Sequence, residues 1–264
     1  MYAFEYRKAA STEDAEIGFA SADDASFLAG GMTLLPTLKQ RLAQPSDLID
    51  LSEVESLSGI SVESGTVTIG AMTCHADVAA SADVQSAIPA LAALANLIGD
   101  PQVRNRGTIG GSIANNDPAA DYPGAVVGLN ATVHTTKREI SADDFFTGLF
   151  ETALEEGELI TKVAFPVPEK AAYRKFPNPA SRYAIVGAFV AKTSDGIRVA
   201  ITGAGATVFR VTDMEAALAE SFSAEAIKDI TVPQDGLNAD LHASAEYRAH
   251  LIGVMARRAV GDCG

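Results

Sequence analysis

Two short segments, each built around a Gly-Gly pair, limit the folding of this chain more than anything else in it. The first is Ala29-Gly30-Gly31-Met32-Thr33-Leu34-Leu35-Pro36. The second is Gly107-Thr108-Ile109-Gly110-Gly111-Ser112-Ile113-Ala114-Asn115-Asn116-Asp117-Pro118. Glycine permits positive φ and lets another group approach the main-chain amides closely. In the first segment a short apolar strand (26–28) delivers the double glycine to a helix start (34–42), with Pro36 in its first turn. Unpaired N–H groups at a helix start, with the Thr33 hydroxyl beside them, suit a diphosphate. A plain tight turn also accounts for such a pair. In the second segment Thr108 and Ser112 flank the glycines, and successive amides there suit a second anion-binding nest. An irregular polar loop capping the following helix is the simpler reading of the same residues.

Other phosphate loops are excluded. Gly-Lys-Ser/Thr is missing, and so is G-x-G-x-x-G. Gly203-Ala204-Gly205 reads as a turn at a strand end.

The chain has 264 residues, enough for two cores, and 47% of it is apolar. Acidic residues outnumber basic ones 34 to 20, a net charge of -14, so nucleic acid and anionic lipid are poor partners. The only cysteines, Cys74 and Cys263, cannot hold an iron–sulfur cluster, which in the common case takes a full set of thiolates. His75, His134, His242 and His250 lack metal-ligand spacing. Any redox chemistry must therefore come from an organic cofactor or a partner. The first residues show no signal-peptide pattern, and no apolar run reaches the length of a membrane span. The expected location is the cytoplasm, with any membrane attachment coming through a complex.

Along the chain, 4–6 reads as a strand, Ser11 as the N-cap of a helix, and 48–51 as another strand. Segments 59–62 and 66–71 form a hairpin around Glu63-Ser64-Gly65. Helices are expected at 75–80, 88–98 and 124–129, and strands at 131–135 and 159–165. A junction falls at Pro166-Val167-Pro168. Beyond it, 183–191 and 196–202 make a hairpin, and helices follow at 213–219, 224–230 and 243–259. The class is α+β.

Taken together, and in this order, the two segments resemble the paired FAD motifs of the molybdenum hydroxylase flavoprotein subunits, the second extending from Arg104 to Asp121. That family includes xanthine dehydrogenase and the medium chain of aerobic carbon monoxide dehydrogenase. The likeness covers essentially the whole chain and leans toward the carbon monoxide dehydrogenase branch through 173–187. It implies a PCMH-type FAD-binding domain (1–168) of two α+β subdomains, about 1–54 and 55–168. It also implies a C-terminal domain (169–264) with a three-stranded antiparallel sheet and a helical bundle. FAD is expected to bind non-covalently. The molybdenum cofactor and two [2Fe–2S] clusters are expected only in partner subunits, a large and a small one, arranged as a dimer of heterotrimers.

The resemblance also carries residue roles. Ala29, Gly30, Gly31, Met32 and Thr33 match one diphosphate-binding loop, and Thr108, Ile109, Gly110, Gly111 and Ser112 match the other. Asp121 matches an acidic cofactor contact, or else caps the next helix. Ile160 matches an apolar neighbour of the flavin or adenine, or is ordinary core. Lys175 matches a lysine at the flavin domain's edge. Tyr183 matches an aromatic beside the isoalloxazine, or is a half-buried strand tyrosine. Arg104 and Arg106 face phosphate, a neighbouring subunit or solvent. Met32 departs from the family, where histidine or a small polar residue is frequent, so any side-chain hydrogen bond there is lost. No residue of this chain is expected to act as acid, base, nucleophile or metal ligand. The alternatives are a stand-alone flavoprotein oxidoreductase of the same fold and an assembly subunit without FAD.

Overall fold

The computed structural model describes residues 1–263. The first fifty residues alternate strand and helix: β1 (Glu5–Lys8), α1 (Thr12–Ala20), β2 (Ala25–Leu28), α2 (Leu34–Lys39) and β3 (Asp47–Asp50). The strands form a parallel sheet in the order β1-β3-β2. Parallel neighbours cannot be joined by a tight turn, so helices fill the links. Ser11 caps α1 as the sequence suggests, its hydroxyl accepting the Asp14 amide at 3.1 Å. Helix α2 is shorter than expected. Its last turn runs into Arg41, whose φ of 61° takes the chain out of the helix.

Next come β4 (Ile60–Glu63), β5 (Thr66–Gly70), α3 (His75–Ala80), α4 (Ala82–Ala87), α5 (Pro89–Asn96), α6 (Pro101–Arg104), α7 (Ile109–Asn115) and α8 (Tyr122–Gly128). They are followed by β6 (Thr132–Thr135), β7 (Glu139–Ser141), α9 (Ala142–Phe145), β8 (Phe146–Gly148), β9 (Glu151–Thr152) and β10 (Ile160–Pro166). Five of these strands form an antiparallel sheet, β4-β5-β10-β6-β7. Ser64 and Gly65 both take positive φ, 50° and 76°, the geometry that matches a tight turn to the twist of its strands. Strand β5 alternates as a half-covered sheet requires: Val67 and Ile69 are buried, while Thr66 and Thr68 are partly exposed.

The last stretch holds β11 (Lys170–Pro177), β12 (Ala184–Thr193), β13 (Gly196–Thr202), β14 (Phe209–Arg210), α10 (Thr212–Glu220) and α11 (Ala245–Asp262). A short 3₁₀ turn, Ala224–Ile227, stands where a longer helix is expected. The sheet is antiparallel, with three long strands and β14 as a two-residue addition at its edge. Strand β12 is buried almost throughout because α11 packs against it from one side and α8 from the other.

Helix α8 lies between the five-stranded sheet's core and the last sheet, and every one of its residues is buried. Close packing needs a glycine there: a Cβ on Gly128 would fall 2.6 Å from Cδ1 of Phe189. Polar bonds reinforce the seam. The Arg198 guanidinium on β13 grips Asp143 of α9 in a fork, at 2.7 and 3.0 Å. Asn116, fully buried with φ of 41°, donates to the carbonyls of Gly148 and Glu151, each at 2.8 Å, and so pins the β8–β9 hairpin.

Candidate functional site

The two Gly-Gly segments meet. A Cβ on Gly30 would fall 2.0 Å from the carbonyl oxygen of Arg106 and 2.9 Å from Cα of Gly107. A Cβ on Gly111 would come within 3.4 Å of Cβ of Ala29. Only main chain without side chains fits at this crossing. The crossing borders a cavity of about 600 Å³, within the range of cofactor clefts. Ala29, Gly30, Gly31, Met32, Thr33, Thr108, Gly110, Gly111, Ser112, Asp121, Ile160 and Tyr183 all line it. Sequence positions far apart thus converge on one space.

The two segments offer different chemistry. Residues 29–34 donate no main-chain N–H to any acceptor among the described residues. Gly31 takes φ of 73°, turning the chain between β2 and α2. An uninterrupted run of unpaired amides beside a cavity calls for an acceptor from outside the protein. The Thr33 hydroxyl caps nothing and adds a donor.

The second segment corrects the nest expectation. It is the capped start of α7, with Thr108 as N-cap. The amide of Ile109 bonds to Thr73 (3.2 Å) and that of Gly110 to Ala71 (2.8 Å). Those of Gly111 and Ser112 bond to the hydroxyl and the carbonyl of Thr108, at 3.1 and 3.0 Å. Of the amides expected to grip phosphate here, only that of Thr108 has no acceptor, so the segment offers that amide, the Ser112 hydroxyl and a side-chain-free surface. Ile109 is completely buried and lies outside the cavity wall, in the core.

Asp121 lies at the start of α8, 4% exposed, and caps nothing with its side chain. Its carboxylate accepts from the Tyr173 hydroxyl at 2.5 Å and from the Lys175 ammonium at 2.9 Å. Burial pushes this carboxyl up from the usual range, and Lys175 and Tyr173 oppose that push. Lys175 does not line the cavity. It reaches the site through Asp121 and also donates to the carbonyl of Leu97. Ile160 belongs to the core and the cavity wall at once, so its two readings describe one position. Tyr183 stands just before β12, exposed, and lines the cavity. Arg104 donates to the carbonyls of Ile98 and Gly99, and Arg106 is exposed.

Several further residues line the cavity. Glu158 is held by Arg138, Thr135 and the Glu155 amide, and these outweigh its burial to keep its carboxyl at about 2. Asp117 has its carboxyl raised by burial. His75 is buried at the start of α3. Asp117 belongs to the second glycine segment, whereas His75 and Glu158 sit in no motif and the fold alone brings them in. Among the described residues Arg182 is the only Lys or Arg lining the cavity. An anion bound here is therefore held mainly by amides rather than by cationic side chains. No group of three or more His, Cys, Asp and Glu able to hold a metal occurs among the described residues. No helix there is long and apolar enough to cross a membrane.

These features fit FAD: unpaired amides for its diphosphate, a cleft of suitable size, and apolar walls at Met72, Leu154 and Ile160 for ring systems. The comparisons agree. Residues 2–168 match the family model described as the FAD binding domain in molybdopterin dehydrogenase. Residues 171–263 match that of the CO dehydrogenase flavoprotein C-terminal domain. The carbon monoxide dehydrogenase medium chain of Hydrogenophaga pseudoflava is 37% identical, over 90% of this chain and 88% of its own. The nicotine 6-hydroxylase medium subunit of Paenarthrobacter nicotinovorans is 36% identical, over 99% of this chain and 98% of its own. The reconstituted CO dehydrogenase from Oligotropha carboxidovorans contains a chain of the same fold, with a TM-score of 0.91 and 33% identity, covering 99% of this chain and 98% of that one.

Proposed function

This chain belongs to the family that joins the FAD-binding domain of molybdopterin dehydrogenases to the CO dehydrogenase flavoprotein C-terminal domain, and we propose that it is the FAD-carrying, electron-relaying subunit of such a complex. The observation that carries this reading is the run of unpaired amides at 29–34, facing the second glycine pair across one cavity. Bound FAD supplies a centre that takes electrons singly from iron–sulfur clusters and gives them up in pairs.

The chain's own residues do the holding. Amides of Gly30, Gly31, Met32 and Thr33 donate to the diphosphate, joined by the Thr108 amide and the Thr33 and Ser112 hydroxyls. Asp121, fixed by Tyr173 and Lys175, orients a polar edge of the cofactor. Tyr183 flanks the ring system at the mouth, and Ile160 with Leu154 excludes water from the wall.

In this reading a small subunit with two [2Fe–2S] clusters delivers electrons, and a large molybdenum subunit oxidises the substrate. The complex is a dimer of such heterotrimers, and this chain divides into domains near residue 168. Relatives of nearly equal identity are named for carbon monoxide and for nicotine. The residues described here serve the relay that such complexes share, and the substrate is selected elsewhere. The test is direct. The purified full chain should take up one FAD, with a flavin absorption band and a dissociation constant of about a micromolar or tighter, as several charge-assisted hydrogen bonds imply. It should not oxidise substrate until both partners are added. A colourless protein that refuses added FAD sinks the proposal.

A further inference from the structure

Among the described residues lining the cavity, His75 is the one whose side chain holds a solvent-sealed polar atom with no hydrogen-bond partner. It is 4% exposed, yet it lines the cavity. Its backbone is fixed, the amide donating to the Gly107 carbonyl at 3.0 Å. Its ring is fixed as well. Tyr122 packs on it with ring centroids 5.3 Å apart, and Gly107 makes room on the other side, where a Cβ would fall 2.6 Å from Nε2. Nδ1 is sealed from solvent with no hydrogen-bond partner, and no protein group among the described residues bonds to Nε2. Burial, with help from the nearby Arg104 charge, lowers the imidazole to about 4, so the ring is neutral near pH 7, with one N–H donor and one acceptor.

A buried polar ring with no partner costs about 1–3 kcal/mol, and few native side chains are left so. A phenylalanine or leucine would fill this space at no such cost. The glycine opposite it and the aromatic ring behind it show a place built for an imidazole. Of the two ring nitrogens only Nε2, beside Gly107 at the cavity wall, is not sealed and can meet a ligand. The same wall holds the crossing of the two glycine segments, since Gly107 touches both His75 and the position of a Gly30 side chain.

We infer that His75 is a further positioning residue for the dinucleotide: Nε2 of its imidazole makes a hydrogen bond to a polar atom of bound FAD from the wall formed by α3 and Gly107. This rests on the FAD reading above and adds a side-chain contact outside the two glycine motifs.

The experiment uses the full chain with FAD as the probe. His75→Phe keeps an aromatic ring against Tyr122 and removes both ring nitrogens. It is expected to fold with equal or slightly higher thermal stability without FAD, and to bind FAD about tenfold more weakly. His75→Gln or His75→Asn should recover most of that affinity, which a purely structural role does not explain. In parallel, ¹⁵N NMR of the wild-type imidazole should show a ring-nitrogen shift when FAD is added. FAD binding by His75→Phe within threefold of wild type, or ring nitrogens that do not move on FAD addition, overturns the inference and leaves the FAD reading standing. If His75→Phe does not fold, the wild-type imidazole spectrum decides alone. A wild-type chain that binds no FAD overturns both readings together.

Discussion

Replacing Gly30 with alanine tests the geometry at its tightest point. The added methyl meets the Arg106 carbonyl oxygen at 2.0 Å, its carbon at 2.7 Å and Cα of Gly107 at 2.9 Å. All three are backbone atoms, so no rotamer change relieves the contact. The two segments must part by about an ångström or more to reach ordinary van der Waals separation. That movement carries the amides of 29–33 away from the diphosphate they are proposed to hold. Each hydrogen bond to a charged phosphate contributes roughly 1.5–3 kcal/mol, so losing two of them weakens FAD binding by about 10²- to 10⁴-fold. Flavin fluorescence quenching or calorimetry on the full chain measures this. Gly65→Ala is the control. Gly65 has φ of 76° but nothing within 4 Å, so it strains the backbone without touching the site. It should cost about 1–2 kcal/mol of stability and leave FAD affinity unchanged. Gly30→Ala protein that binds FAD within threefold of wild type, with an unaltered Tm, would refute the reasoning.

The buried Asp121–Lys175 pair gives a second test. Lys175→Met should cost about 3–5 kcal/mol by stranding the carboxylate, and the double change Asp121→Asn with Lys175→Met should recover much of it in denaturant titrations. Two pH windows follow from the cavity groups. His75 takes a proton at about 6.5 when unfolded and only at about 4 when folded, so keeping the ring uncharged in the fold costs stability that grows to about 3 kcal/mol as pH falls from 6.5 to 4. Glu158 is held down at about 2 against an ordinary 4.5, so its contribution is full above 4.5 and is lost as pH falls toward 2. Chemical denaturation across pH should show His75→Phe flattening the upper window and Glu158→Gln the lower one. Asn116→Ala should cost about 2–4 kcal/mol, since it strands two carbonyls and forces alanine to a φ suited to asparagine. Hydrogen exchange should show the β8–β9 hairpin loosened.

Where local chemistry decides structure, the sequence was legible. Ser11 caps α1, Ser64 and Gly65 turn the first hairpin, and β12 and β13 pair around Ser194 and Asp195. Both glycine segments are legible because two Gly-Gly pairs, each flanked by hydroxyl residues and a helix start, recur in one chain. The nature of the second was harder to see. Thr108 caps a helix, and the amides behind it find acceptors in Ala71 and Thr73, more than thirty positions earlier in the chain. No local pattern reveals that. Strand β11 leaves little sequence signal, because Lys170-Ala-Ala-Tyr-Arg-Lys-Phe alternates weakly; pairing with β12 along its length makes it a strand. The site roles of His75 and Glu158 leave no sequence signal for the same reason. Their meaning comes from what the fold sets beside them.

Helix α8 has no outward side. One face belongs to the core of the five-stranded sheet and the other to β12 and β13. Although family models divide near residue 170, a gene cut there would release a first half carrying a bare apolar rod, prone to clump before it could load any cofactor. Neither half can be traded for a foreign module without redesigning Tyr122 through Gly128. The chain is inherited as a whole, because a single helix is the interior of both its halves.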